Sequence, residues 1–416
     1  MSQRPQHILI ITDAPTAPLF APRVRYLVNH LAQRGWQCTV VGEKALGTDF
    51  TFAHCRHLQW LYYQENQPVR NRFRWFMAQL FYAKEKGFFR FLKQQIKDDS
   101  FACVVCSTFN TFPLLSSARL AKKLNIPFIV DIRDMMEQWG DTSFVQHPLH
   151  LPWPGLNRWL LRCYMRRDIR RRNAILSRAD ALTTVSPWHM EQLKRINPQT
   201  HLIYNGYDET DFYPQDTKSE QFILSYSGKI YDLLFRDPRL LFEAVQRLLA
   251  DKKIEAQDIR LEFHIDKESI LPLRQLAEAY HIQHICTIEG YIPKEQVLSL
   301  MHASSILLVL TCKSTPNGTH GIMGTKFYEA IGVEKPVLCV PSDEECLAQV
   351  IQETHAGIAA TDVAQVQAFI LDKYAEWKKN GFTRQNVDQE AKQRFSRRYQ
   401  AQQFEQVFLK TPHARS

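Results

Sequence analysis

The chain has 416 residues, 45% of them hydrophobic and 23% charged, with a formal net charge of +9. That length holds two or three domains with full cores, and the composition excludes a disordered or low-complexity protein. The positive balance leaves nucleic acid, an anionic membrane surface or phosphorylated ligands as partners.

No stretch approaches eighteen apolar residues, so no span is expected. The opening strand HILIIT is followed at once by Asp13 and Pro15, which does not read as a signal peptide. A soluble or peripheral cytoplasmic protein is expected. The nine cysteines are scattered. Cys103 and Cys106 form a C-x-x-C, but FACVVCSTF reads as a buried strand, and no second pair supplies zinc ligands.

His7 to Thr12 predicts a strand and Asp13 to Pro22 a Pro-rich loop. Val24, Leu27, Val28 and Leu31 then recur at helical spacing, and Cys38 to Val41 is the next strand. No G-x-G-x-x-G accompanies this βαβ opening, so no dinucleotide site is read here. Residues 70–97 carry eight Lys/Arg against one acid, Glu85, interleaved with Phe73, Trp75, Phe76 and Phe81. Residues 153–178 repeat the pattern, with eight arginines against Asp168 beside Trp153, Trp159 and Tyr164. Basic aromatic helices suit an anionic membrane surface, or the packing of a domain with a solvated face.

Phe101 to Cys106, Leu114 to Leu124 and Ile126 to Ile132 predict another βαβ unit, ending in Asp131-Ile132-Arg133-Asp134. Charged residues at the carboxyl end of a parallel strand sit where open α/β sheets bind ligands, although Arg133 and Asp134 also suit a mutual salt bridge. Ser186-Pro187 predicts a helix N-cap with Pro at N1. Asn205-Gly206 is a turn, and 215–220 reads as a linker. A second pass begins at Phe222 to Ser227, a strand running into Gly228-Lys229. Arg236 then precedes a helix capped by Asp237-Pro238. Two cations and free N–H groups at one sheet edge make a diphosphate clamp. Gly290-Tyr291-Ile292 is a further turn after a strand.

The run HGIMGTKFYEAIGVEKPVLCVP, from His320 to Pro341, reads as loop, helix and strand. Thr325 is the expected N-cap and Gly332 the expected C-cap. Such a helix N-terminus is an anion site, to which Lys326 adds a cation, and Glu329 would accept from a diol. This order of residues resembles the donor-binding signature of retaining glycosyltransferases of family 4, which have the GT-B fold.

The resemblance implies a diphosphate held by the backbone of Gly321, Ile322, Met323, Gly324 and Thr325 with Lys326, and a ribose bound by Glu329. It places Gly228, Lys229 and Arg236 on the donor phosphates and the backbone of Gly290, Tyr291 and Ile292 over the base. Many members carry an acid where this chain has Gly321. The family's Asn-Gly-(x)-Asp-(x3)-Phe segment is matched from Asn205 to Phe212. Its Gly-rich loop after the first strand is replaced by Pro15, Pro18 and Pro22. The Pro22-Arg23 pair resembles members that build bacterial surface polysaccharides, with Arg23 facing a phosphate or sugar.

The implied architecture is α/β, two Rossmann-like domains facing a cleft. Residues 1–214 would bind the acceptor and 221–385 the nucleotide sugar, while 386–416 would return as a helix to the first domain. The implied reaction moves a sugar from a nucleotide sugar, UDP-linked by preference, to a glycan hydroxyl with retention. No metal or cofactor is implied. Arg133, Asp134, Lys229 and Arg236 are the catalytic candidates; Arg23, Asp131, Arg133 and Asp134 are those for the acceptor. Residues 70–97 and 153–178 would hold the domain at the inner face of the cytoplasmic membrane beside a lipid-linked acceptor. A nucleotide-sugar epimerase of the same fold and a nucleic-acid-binding protein are the rival readings. The latter lacks any RRM, KH or helix-turn-helix signature.

Overall fold

A computed structural model describes residues 6–13, 22–44, 52–63, 67–97, 100–108, 111–139, 153–230, 233–315 and 318–411. It divides into two compact units, Met1–Tyr204 with Arg397–Ser416, and Asn205–Ser396. Among the described residues, no helix is long and apolar enough to cross a membrane.

The first unit carries seven strands: β1 (His7–Thr12), β2 (Gln37–Glu43), β3 (Arg56–Trp60), β4 (Cys103–Thr108), β5 (Phe128–Ile132), β6 (Ala181–Thr184) and β7 (Thr200–Leu202). They lie in the order β3-β2-β1-β4-β5-β6-β7, all parallel. β1, β4 and β5 are buried along nearly their whole length. That is why they read as apolar runs: helices cover both faces of such a sheet. Cys103 and Cys106 are buried within β4, and burial pushes both thiols up. The helix 22–33 packs against the helix 397–410, with Val24, Leu27 and Val28 meeting Phe404 and Phe408 in one core.

The second unit carries β8 (Phe222–Gly228), β9 (Ile259–Ile265), β10 (Cys286–Glu289), β11 (Ile306–Leu310), β12 (Val337–Val340) and β13 (Gly357–Ala359). Their order is β10-β9-β8-β11-β12-β13, again all parallel. In each sheet the order runs outward in one direction and then in the other, with the reversal between β1 and β4 and between β8 and β11. Open parallel sheets bind ligands outside the strand carboxyl ends at such reversals.

The structure moves several expected boundaries. Residues 205–214 fall in the second unit, where Tyr207 bridges to Ser396. The single C-terminal helix is two, Gln389–Gln393 in the second unit and Arg397–Lys410 in the first. The basic segment 70–97 is also two helices, Pro68–Phe81 and Ala83–Gln95, broken at Tyr82 in the left-handed region. The short strands β3 and β13 escaped the sequence reading. Pro15 and Pro18, expected in the loop after β1, lie outside the described residues.

Candidate functional site

The reversal between β8 and β11 gathers the donor residues expected in the second unit. β8 delivers Gly228 and Lys229 to the sheet edge. The loop that follows returns Arg236 to β11, where its Nη1 donates to the Leu310 carbonyl at 2.5 Å. The helix Thr325–Val333 starts at the same place. A Cβ added at Gly324 would lie 3.8 Å from Arg236 Nη1, and one at Gly228 would lie 3.2 Å from Lys326 Cε. Gly228 thus leaves room for the Lys326 stem and for the Tyr226 hydroxyl, which would lie 3.3 Å from the same Cβ.

Thr325 is the first helical residue rather than the cap. Gly324 is the N-cap, and no side chain caps the helix. Several other helices, 294–303 among them, also lack a capping side chain, while a few are closed. Ser186 accepts from His189 N, and Asp362 accepts from Gln365 N. An N-terminus with no capping side chain, beside two cations, holds an anion through its first-turn N–H groups and the helix dipole.

Lys326 Nζ meets Glu329 Oε2 at 2.8 Å, so these two residues hold each other. A phosphate that takes Lys326 would release the Glu329 carboxylate to accept from a diol. Lys229 is exposed. Its turn is fixed from below by Asp266, which accepts from Ile230 N at 2.7 Å and from Ser269 Oγ at 2.6 Å. Burial raises the Asp266 carboxyl, but these bonds and the Lys229 charge outweigh it and hold the group below its ordinary range. The sequence reading passed over Asp266, although an Asp straight after a parallel strand and before a helix was the available signal.

Gly321 departs from expectation. It is buried, and its N–H donates to Glu345 Oε2 at 2.8 Å. Glu345 also accepts from Ser314 Oγ at 3.1 Å and lies 3.0 Å from His320 Nδ1. The Gly321 N–H is therefore occupied. Ile322, Gly324 and Lys326 are half-buried and Met323 is buried, and Thr325 is the exposed residue at the start of the helix. Gly290, Tyr291 and Ile292 lie at the end of β10, two strands from β8, roughly 10 Å along the edge. Tyr291 is 61% exposed, and the Gly290 carbonyl lies 3.3 Å from His264 Nδ1.

Gly332 is not a C-cap. The helix runs on to Val333 and ends on Glu334 in the left-handed region. A Cβ at Gly332 would come within 2.7 Å of Phe212 Cβ and 2.8 Å of Tyr207 Cδ2, so this glycine lets the segment after Asn205 lie flat on the helix.

The first unit's candidates are arranged differently. Arg23 and Asp131 are 4% and 1% exposed. The Arg23 guanidinium reaches both Asp131 oxygens, at 3.2 and 3.1 Å, and the carbonyls of Ile203 and Tyr204, each at 2.8 Å. Asp131 also accepts from Ser107 Oγ and Thr183 Oγ1. This pair ties β4, β5 and β6 to the first helix, so both side chains expected to face the acceptor are engaged within the first unit. Arg133 does not pair with its neighbour Asp134. It bonds Asp13, 120 residues away at the end of β1, and Thr108 Oγ1 donates to the same carboxylate at 2.6 Å. Asp134 is exposed and accepts from Gln138 Nε2 at 3.1 Å. Of the four acceptor candidates, Asp134 alone is an exposed residue, although the atoms packed around its carboxyl raise its pKa, with the Gln138 bond and the Arg133 charge opposing.

Two open parallel sheets, each with its strand order reversing near the middle, define an α/β protein of GT-B architecture. The comparisons with known proteins agree. A family model described as Glycosyltransferase Family 4 matches residues 21–211, and one described as Glycosyl transferases group 1 matches residues 209–394. The chain is a glycosyltransferase of the GT-B type. Among curated proteins, no sequence matches it.

Three solved structures share the fold at low identity. Sucrose-phosphate synthase from Thermosynechococcus elongatus is 16% identical, covering 97% of this chain and 98% of its own, with a TM-score of 0.62. HepE from Anabaena, in complex with UDP and glucose, is 13% identical over 97% and 99%, also with a TM-score of 0.62. The lipopolysaccharide outer core galactosyltransferase WaaB in its apo form is 12% identical over 97% and 99%, with a TM-score of 0.58.

Proposed function

We infer that this glycosyltransferase moves a sugar from a UDP-sugar to a hydroxyl of a glycan acceptor, with retention at the anomeric carbon, in surface-polysaccharide synthesis. The observation that carries this reading is the convergence of Gly228, Arg236, Gly324 and Lys326 on one helix N-terminus left open by its side chains. HepE has also been crystallised with UDP-glucose, and WaaB acts on lipopolysaccharide, which supports the donor base and the pathway.

In this reading the diphosphate lies on the first-turn N–H groups with Arg236, Lys326 and Lys229 around it, and Glu329 turns from Lys326 to the ribose. The bond from the anomeric carbon to the phosphate oxygen breaks. A bond to the acceptor oxygen forms on the same face. The acceptor proton passes to the leaving phosphate, and a nucleoside diphosphate departs. Fixed cations and N–H groups stabilise the charge that develops on that phosphate, which is electrostatic preorganisation. No protein nucleophile and no metal is assigned a part. Asp134 receives an acceptor hydroxyl, while Arg133, held by Asp13, keeps a positive charge nearby.

The acceptor is lipid-linked in this reading, and the first unit rests on the inner face of the cytoplasmic membrane. Support comes from the helix Pro154–Leu176, where Arg158, Arg162, Arg166 and Arg170 form an exposed row at i, i+4 spacing. None of the four has an ion pair among the described residues. Like charges in such a row repel, and an anionic surface relieves them. Trp159 lies beside the row, and Trp153 and Phe73 are exposed nearby in sequence on this helix and on Pro68–Phe81.

The test is a transfer assay with a panel of nucleotide sugars and a glycan acceptor on and off a lipid carrier, the product linkage being read by NMR. Product from a UDP-sugar with the donor's anomeric configuration is expected, faster on the lipid-linked acceptor. Inversion would overturn retention. Equal rates on both acceptors, with no liposome binding, would overturn the membrane reading. Conversion of the nucleotide sugar without an acceptor would favour an epimerase.

A further inference from the structure

The first unit encloses a cavity of about 620 Å³ that none of the site residues above uses. It is within the size range of small-molecule pockets. The two basic aromatic segments meet here. Trp75, Ala78 and Tyr82 come from the first, Tyr164 and Ile175 from the second, and Phe112 from the turn after β4. The break at Tyr82 lies on the cavity wall. Two helices joined through a left-handed residue diverge, and Arg171 lies over the Tyr82 ring, 4.0 Å from its centroid.

The charges on this wall fall into two groups. The carboxylates are spent. Glu85 accepts from Leu115 N and Ser116 N, closing the N-terminus of the helix 114–124, and Asp168 is held by Arg167. Two of the cations are also spent: Lys84 pairs with Glu43, and Arg172 with Glu137. The remaining cations, Lys86, Arg119 and Arg171, are exposed where the cavity meets solvent. None of them pairs with a carboxylate among the described residues. Aromatic walls with three uncompensated cations at the mouth match one chemistry, an apolar chain that ends in a phosphate.

We propose that this cavity binds the lipid phosphate end of the acceptor, its hydrocarbon chain against Trp75, Tyr82 and Phe112 and its phosphate among Lys86, Arg119 and Arg171. The proposal rests on the lipid-linked-acceptor reading and gives that acceptor a place in the first unit. The helix Pro154–Leu176 then serves two ends. Tyr164, Asp168 and Ile175 face the cavity, and the row of four arginines lies on the opposite side.

The test is calorimetric titration of the whole chain with farnesyl phosphate below its micelle concentration, beside farnesol and inorganic phosphate. Farnesyl phosphate is expected to bind at least roughly tenfold more tightly than either part alone. Ala78→Phe fills the cavity and should abolish the titration. Ala174→Phe narrows it from an exposed wall position with less risk to packing, and should weaken binding. Arg119→Gln with Arg171→Gln should bring farnesyl phosphate down to the level of farnesol. Equal binding of farnesol and farnesyl phosphate, or unchanged binding in a folded Ala174→Phe protein, would overturn the proposal. UDP is titrated in parallel. Farnesyl phosphate binding without UDP binding would sink the nucleotide-sugar reading and leave the cavity assignment standing, whereas UDP binding alone would do the reverse.

Discussion

At the carboxyl edge of the first sheet, Arg23 lies on Asp131 and Arg133 on Asp13, and serines, threonines and backbone carbonyls take up what remains. At the same edge of the second sheet, Lys229 is exposed, Lys326 pairs with Glu329 on its own helix, and no side chain caps that helix. Both edges carry charges straight after apolar strands, and from sequence they look alike. What separates them is whether a partner of opposite charge arrives from another strand. A strand-end charge whose partner is supplied within the sheet holds the unit together. One whose counter-charge is easily displaced, as Glu329 is for Lys326, is left for a ligand.

The largest effect expected to test this contrast is on stability. Asp131→Ala leaves Arg23 buried without its counter-charge and should cost about 3–5 kcal/mol in denaturant unfolding. A loss below about 1 kcal/mol would mean that the pair is solvated and free to meet a ligand.

A second handle on the first unit is His189, buried beneath this edge and 2.5 Å from Gln138, which in turn holds Asp134. Burial lowers its pKa from 6.5 to about 4, with the Arg172 charge adding to the fall and Glu137 opposing it. The unfolded chain then binds the proton more readily than the folded one. The contribution is therefore whole above about pH 6.5 and is lost as pH falls towards 4, by up to about 3 kcal/mol. Unfolding curves across that window should show the slope, and His189→Gln should flatten it.

Smaller in free energy and more telling for function is Glu329→Ala. Loss of a charged acceptor for the ribose should weaken UDP by about 1.5–3 kcal/mol. The same change frees Lys326, so inorganic pyrophosphate should bind at least as well as to the wild type. Parallel weakening of both ligands would show that Glu329 acts by shaping the loop and not by accepting from a diol. Smallest of all should be the effect of Lys229→Ala on stability, within about 0.5 kcal/mol, since an exposed side chain can be removed at little cost. A larger loss would place Lys229 with Arg23 among the residues that hold a unit together.

The alternation of apolar strands with helices was legible, as was the pair of sheets, because strands buried on both faces leave unbroken hydrophobic runs. The residues at the start of the helix 325–333 and at the end of β8 were legible as local groups for a simple reason. Gly228-Lys229 and Gly324 to Glu329 each lie within one turn, so spacing along the chain reports spacing in space. Arg133 shows where this fails. Its sequence neighbour Asp134 was a natural partner, but successive residues of an extended chain point apart, and the sheet brought Asp13 across instead. Gly332 and Thr325 were misread because a glycine near a helix end and a threonine near its start have typical uses there. Packing against Tyr207 and Phe212 had a stronger claim on the first, and the open N-terminus begins one residue before the second. Glu345 left no signal, because its role depends on where a loop some twenty-five residues earlier in the chain comes to lie.

The measurement closest to the central claim is the affinity of UDP for the wild type and for Arg236→Ala, by calorimetric titration, with thermal unfolding to show that both proteins are folded. Arg236 stands between the end of β11 and the open helix, so its loss should weaken UDP by roughly 10- to 100-fold while uridine binding hardly changes. UDP that binds a folded Arg236→Ala protein as tightly as it binds the wild type would show that the diphosphate does not lie at the reversal of the second sheet.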